Sequence, residues 1–234
     1  MKRGFIEDFY DRAKEVHKFF LFLKHLENGR IVKLRMGQHE YHSKVCPVED
    51  SLLKTLKASS FLLLYNLVES AMRNSIQAIS YEMIQEKIEF DKIRPELKKI
   101  VLRNLVRKLD RKDLQEISSR INSISVDIIE VAFDGSKLFS GNVDEKKIKE
   151  VAKKYGFCHQ TNTRAHGGSD LSTVKNNRNL LAHGDETFAQ VGQDRSIDEL
   201  IQIKMRVCEY LKGILNNIND YLDNKSYRNT NSTN

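Results

Sequence analysis

The sequence predicts an all-α fold. Two prolines and eleven glycines among 234 residues leave long stretches that nothing interrupts. Through those stretches apolar residues recur at three- and four-residue spacing, the period of a helix with one buried face. Several of them open on Ser, Asn or Asp and close on Gly, which is how helix termini are punctuated. A composition of 40% hydrophobic and 30% charged residues suits a soluble chain, and the length suits one well-buried core.

Taken in order, the first predicted helix spans Phe5–Leu26, with Phe9, Val16, Phe19, Phe20 and Leu23 on its apolar side, and Asn28-Gly29 ends it. Residues 30–50 are short and polar, with Ile31-Val-Lys-Leu a weak candidate strand. Asp50 or Ser51 is the expected cap of a second helix from about Leu52 to Lys87. Along it Phe61, Tyr65, Val68, Met72, Ile76, Ile79 and Met83 step down one face, and Leu62, Leu63, Leu64 and Leu67 widen the stripe. That helix is the expected centre of the core.

Pro95 opens a third helix, because proline is tolerated in a first turn. Asp113 begins a short one to Ile121, and residues 123–133 fit a strand or a helix equally. Asn142 or Asp144 starts the next, which ends at Tyr155-Gly156. A polar loop over 157–168 leads to a helix between Ser169 or Asp170 and Gly184, and about a dozen loop residues follow it. Ser196 caps the last helix, which runs to Leu222. The expected domain is 1–223, with a helical and irregular insertion at about 90–168; the Asn/Ser/Thr-rich residues 224–234 read as a disordered tail.

Charge and cysteines narrow the function class. The formal charge of +7 admits a polyanionic partner. The strongest basic face is the third helix, where Lys98, Lys99, Arg103, Arg107 and Lys108 offer a track for nucleic acid. Three scattered cysteines argue against a disulfide framework, and no stretch reaches membrane-spanning length, so a reduced cytoplasmic protein is expected. No cofactor is expected, since no Walker loop or dinucleotide fingerprint is present. His39, His42, Cys46, Cys158, His159 and His166 are ligand types that suit zinc, but their loose spacing and lack of a CxxC knuckle leave no metal expected.

The anomaly lies between Ser169 and Gly184. Leu171, Val174, Leu181 and Ala182 fall within one arc of that helix, and Arg178 falls in the middle of it. A guanidinium in such a place must be paired or must serve an anion. Asn179 and His183 stand four apart at the edge of the arc. As plain structure, Arg178 would pair with a buried carboxylate, His183 would answer the helix dipole, and Glu69 would pair with Arg73 one turn along.

Arg178-Asn-Leu-Leu-Ala-His183 resembles the arginine–x(4–6)–histidine signature of the HEPN superfamily of helical bundles. Asn179 stands where that family commonly has a polar residue, and Tyr65-Asn-Leu-Val-Glu-Ser70 resembles the acidic segment of its long central helix. Phe139-Ser-Gly-Asn-Val-Asp144 and Ala182-His-Gly-Asp-Glu-Thr-Phe188 resemble one prokaryotic branch. The resemblance implies a dimeric, metal-independent endoribonuclease of a toxin–antitoxin or phage-defence system, with two motifs facing across one cleft. In it Arg178 and His183 are implied as catalytic, Asn179 and Glu69 as their supports, Glu69 holding Arg178 in place. A twofold contact between motif helices would bury the apolar arc and bring both arginines together. An antitoxin or other defence partner is implied as well, but control by tyrosine modification is not, because Asp185 occupies the position of the modified tyrosine. The alternative is a catalytically silent module of the same type that binds RNA, nucleotide or a partner protein.

Overall fold

The structure, a computed structural model, describes residues 3–29, 33–36, 44–109, 139 and 141–229. Among them are helices α1 (Gly4–Glu27), α2 (Asp50–Gln85), α3 (Pro95–Leu109), α4 (Glu145–Tyr155), α5 (Ser169–His183), α6 (Phe188–Gln193) and α7 (Ile197–Asp223). Two short strands, β1 (Lys33–Met36) and β2 (Lys44–Pro47), pair antiparallel, with Lys33 opposite Pro47. The fold is all-α with this one small hairpin. The strand begins two residues later than Ile31.

Helix α2 is the axis. Its 36 residues span about 54 Å at 1.5 Å per residue. Phe61, Leu64, Tyr65, Val68, Met72, Ile76, Ile79 and Met83 are buried along it. α1, α5, α6 and α7 all pack against it, so its middle is covered on several sides. Each fully buried Leu, Ile or Phe there contributes about 2 kcal/mol of apolar burial. The buried hydroxyls of Ser60 and Ser75 donate back to the carbonyls of Lys57 and Met72, at 2.6 and 3.0 Å, so neither is left unpaired.

Local signals set most boundaries. Asn28 and Gly29 end α1, Pro95 starts α3, and the Asp144 carboxylate caps α4 through the Lys147 amide at 2.8 Å. Ser196 forms a capping box with Glu199 at the start of α7. Two expected caps do not form. Asp50 and Ser51 lie inside α2 behind Glu49, with Asp50 paired to Lys54. Ser169 and Asp170 lie inside α5 behind Gly168, because the Asp170 carboxylate is taken in a bidentate pair by Arg206 of α7 at 2.6 and 2.9 Å.

The expected loop after α5 contains α6, a six-residue helix held by a Thr187–Gln190 capping box. It lies directly on α2. A Cβ at Gly192 would stand 1.9 Å from the Lys54 carbonyl oxygen, so only glycine permits the approach. The polar loop before α5 contains a 3-10 turn over Thr163–Gly168. The expected elements at 113–121 and 123–133 lie outside the described residues, as do residues 230–234.

Residues 224–229 correct the expected tail, for they pack on the bundle. Tyr227 is fully buried and donates to Glu86 at 2.6 Å, Arg228 pairs with the same carboxylate at 2.8 Å, and Lys225 reaches it as well. Arg228 also forms a bridge to Ile93. Burial pushes the Glu86 carboxyl up, but the Lys225, Tyr227 and Arg228 donors outweigh it and hold the group at about 2.

Tyr227→Ala is therefore expected to lower stability by about 3 kcal/mol in urea denaturation, where a disordered residue would change nothing. A depressed carboxylate stabilises the fold above its unfolded pKa and loses that contribution as pH falls through the folded one. Glu86→Gln is expected to flatten the acid limb of the stability profile between about pH 5 and pH 2, measured by denaturant midpoints across that range.

Candidate functional site

The site forms where α5, α2 and the 139–144 segment meet. Helix α5 turns Leu171, Val174 and Leu181 inward against the core and ends at Gly184 in a left-handed conformation. Three of the four apolar residues of the arc are thus used within the chain, and Ala182 is left for any contact with a second copy. Ala182 and His183 are exposed, and Arg178 and Asn179 lie between, half-buried.

Arg178 is held from several sides. Its guanidinium carbon lies 4.6 Å from the centroid of the Tyr65 ring, a cation–π stack. On another side is Gly141, whose φ of +75° favours glycine and whose missing Cβ would stand 3.5 Å from Nη2. Nη1 donates to the Asn179 side-chain oxygen at 2.9 Å. No carboxylate pairs with Arg178 among the described residues.

Tyr65 is fixed in turn. It is 1% exposed, and its hydroxyl accepts the Val143 amide at 3.1 Å. Burial pushes its phenol up; the Val143 hydrogen bond opposes this and neighbouring Glu69 adds to it, so the ring stays neutral. Asn179 donates to the Asn142 side-chain oxygen at 3.4 Å, a long contact that joins the motif to the loop. One residue past Val143, Asp144 receives Lys175 from α5. Burial raises the Asp144 carboxyl, but Lys175 and the Lys147 amide prevail and hold it below the usual range.

The residues singled out from sequence are thus partly brought together. Arg178 and Asn179 touch each other, and His183 lies one helical turn beyond Asn179 with its side chain in solvent. Asn179 bonds Arg178 and Asn142 rather than orienting His183. Glu69 makes its ion pair with Arg73, as helical spacing suggests, and the hold on Arg178 comes from Tyr65 instead. Tyr65, Gly141 and Asn142 are the members that sequence reasoning did not assign to the site. Tyr65 reads as core and is core; the signal for the other two was the Phe139–Asp144 segment itself.

On α3, Lys99, Arg103 and Arg107 are exposed, while Lys98 donates to the Asp91 carbonyl at 2.7 Å and lies over the Phe90 ring. Lys108 belongs to the same helix. His39 and His42 lie outside the described residues, and among the described residues no three His, Cys, Asp or Glu side chains converge as metal ligands do. No described helix is long and apolar enough to cross a membrane.

One family model, HEPN_MAE_28990-like HEPN, matches residues 1–227. No curated protein and no solved structure matches the chain.

Tyr65→Phe keeps the ring under Arg178 but strands a buried amide, and is expected to cost about 1–2 kcal/mol in urea denaturation. Tyr65→Leu is expected to cost about 3 kcal/mol. A double-mutant cycle of Tyr65→Leu with Arg178→Met should return a coupling of about 1 kcal/mol, and a coupling near zero would show that the ring does not hold the guanidinium.

Proposed function

The chain belongs to the HEPN_MAE_28990-like HEPN family, and from that premise we propose that it is a metal-independent endoribonuclease of a toxin–antitoxin or phage-defence system, with a composite site at a homodimer interface. The observation that carries this reading is the hold on Arg178. The guanidinium is fixed by a ring face and an amide oxygen, and no described carboxylate neutralises it. A fixed, uncancelled fork of donors is what a phosphate in transition needs.

In the proposed reaction a ribose 2′-oxygen attacks the adjacent phosphorus. The O2′–P bond forms and the P–O5′ bond breaks, leaving a 2′,3′-cyclic phosphate and a 5′-hydroxyl. His183 takes the 2′ proton or supplies one to the leaving 5′-oxygen, work that suits imidazole near neutral pH. Arg178 bears the charge that grows on the phosphate oxygens. Asn179 fixes the Arg178 fork, and Glu69 acts at one remove, through its place beside Tyr65. Lys98, Lys99, Arg103, Arg107 and Lys108 hold the strand by its phosphates.

A dimer completes the site. One chain supplies one exposed His183, whereas the two proton transfers use a base on one side and an acid on the other. A second copy facing the first brings a second histidine to the same phosphate.

The same exposure of His183 also favours the second reading, a catalytically silent module that binds RNA, nucleotide or a partner protein. No described side chain orients the His183 ring. The two readings part on cleavage of mixed cellular RNA in EDTA, followed by end-group analysis. The ribonuclease reading expects 2′,3′-cyclic ends from the wild type, and at least about a hundredfold less product from His183→Ala and from Arg178→Ala. Equal inertness of all three proteins would leave the silent module.

A further inference from the structure

Helix α4 carries five lysines in eleven residues. Lys147 and Lys154 converge on Glu150, the preceding Asp144 is taken by Lys175, and Glu145 accepts a hydrogen bond from Ser172 at 2.8 Å. What remains is Lys146, Lys149 and Lys153, all exposed and in no ion pair within 4 Å among the described residues, although Lys146 lies close enough to Asp144 to help hold its carboxyl down. Spaced by three and four positions, they stand within about 60° of one another along about 10 Å of helix.

Two features set this row apart from an ordinary solvated face. The first is where it starts. Asn142, which holds Asn179 of the motif, lies two residues before the Asp144 cap of α4, so the row leads away from the motif. Helix α4 itself packs against α3, which carries exposed Lys99, Arg103 and Arg107. The second is what the row lacks. Ile148, Val151, Ala152 and Tyr155 are buried, which leaves no apolar or aromatic anchor on the solvent side of α4. A protein partner would want such an anchor. Hydrated ammonium groups in a line suit a chain of phosphates.

We infer that Lys146, Lys149 and Lys153 form a rail for the RNA strand flanking the scissile phosphate, gripping its backbone without reading its bases. The inference rests on the ribonuclease reading for the identity of the polyanion. With no aromatic side chain on the row there is no stacking platform, so the rail sets position and not sequence.

The test is binding of a fluorescein-labelled polyuridine oligomer to the full chain, by anisotropy over a range of salt. It is done in the His183→Ala background so that the probe survives. Lys146→Gln, Lys149→Gln and Lys153→Gln together are expected to weaken binding about tenfold at low salt. They should also reduce the slope of log K against log salt by about 2, at about 0.7 per phosphate contact on a single strand. A control triple, Lys18→Gln, Lys87→Gln and Lys212→Gln, removes the same charge from exposed positions elsewhere. It should stay within about twofold of the parent. Equal losses in the two triples, or an unchanged slope in the first, overturn the rail. If the wild type fails to cleave RNA while the first triple alone loses affinity, the rail stands and the ribonuclease reading falls.

Discussion

Taking a guanidinium partly out of water is costly unless something replaces its hydration, and at Arg178 the replacement is the face of Tyr65. The choice of partner matters more than the strength of the contact. A carboxylate at 4 Å would interact by about 4 kcal/mol at an effective dielectric near 20, and would cancel most of the field a phosphate could feel. A ring face holds the same group by about 1–2 kcal/mol and cancels little of it. A weaker hold therefore leaves a more useful charge, provided that the ring itself cannot move. Tyr65 meets that condition because it belongs to the buried face of α2 and its hydroxyl is tied to the Val143 amide.

The rest of the bundle serves that arrangement through close approaches. Gly141 supplies the left-handed turn by which the 139–144 segment passes the guanidinium, and Gly192 lets α6 lie against the backbone of α2 at Lys54. Because α6 follows α5 after only a short turn, its seating on α2 also limits where the end of α5, and with it His183, can lie. The Lys175–Asp144 pair ties α5 to the start of α4. The motif helix is thus positioned beyond its C-terminus and at its middle by contacts that lie outside the motif.

Much of this was legible in the sequence, and what was not has a physical reason. Gly29, Pro95, Asp144, Gly156, Gly184 and Ser196 marked true helix ends because those signals act within a turn of themselves. Asp170 misled because its carboxylate is claimed by Arg206, 36 residues away. Tyr227 misled for the same reason over a greater separation, since Glu86 lies 141 residues off. Helix α6 escaped notice because six residues with a glycine near the end show no period, although Thr187 and Gln190 held its capping signature. At the site, Arg178, Asn179 and His183 could be read from their spacing. The partner of Arg178 could not, because a tyrosine in an apolar stripe carries the same pattern whether or not an arginine stacks on it.

Three acids near the start and middle of α5 and on α2 are neutralised within the bundle. Glu69 is engaged by Arg73, Asp144 by Lys175, and Asp170 by Arg206, each within the bundle. Carboxylates so engaged have little field left to repel an incoming phosphate, whereas Arg178 and the lysine row of α4 keep theirs. In a chain with 39 basic and 32 acidic residues, this pairing leaves Arg178 and the lysine row as groups of uncancelled positive charge. Between these groups the two tasks separate. On the proposed reading the lysines on the helix surface hold a phosphate backbone of any sequence. On the same reading the Arg178 fork, held by the Tyr65 ring and the Asn179 amide, sets which phosphate lies where the proton can move.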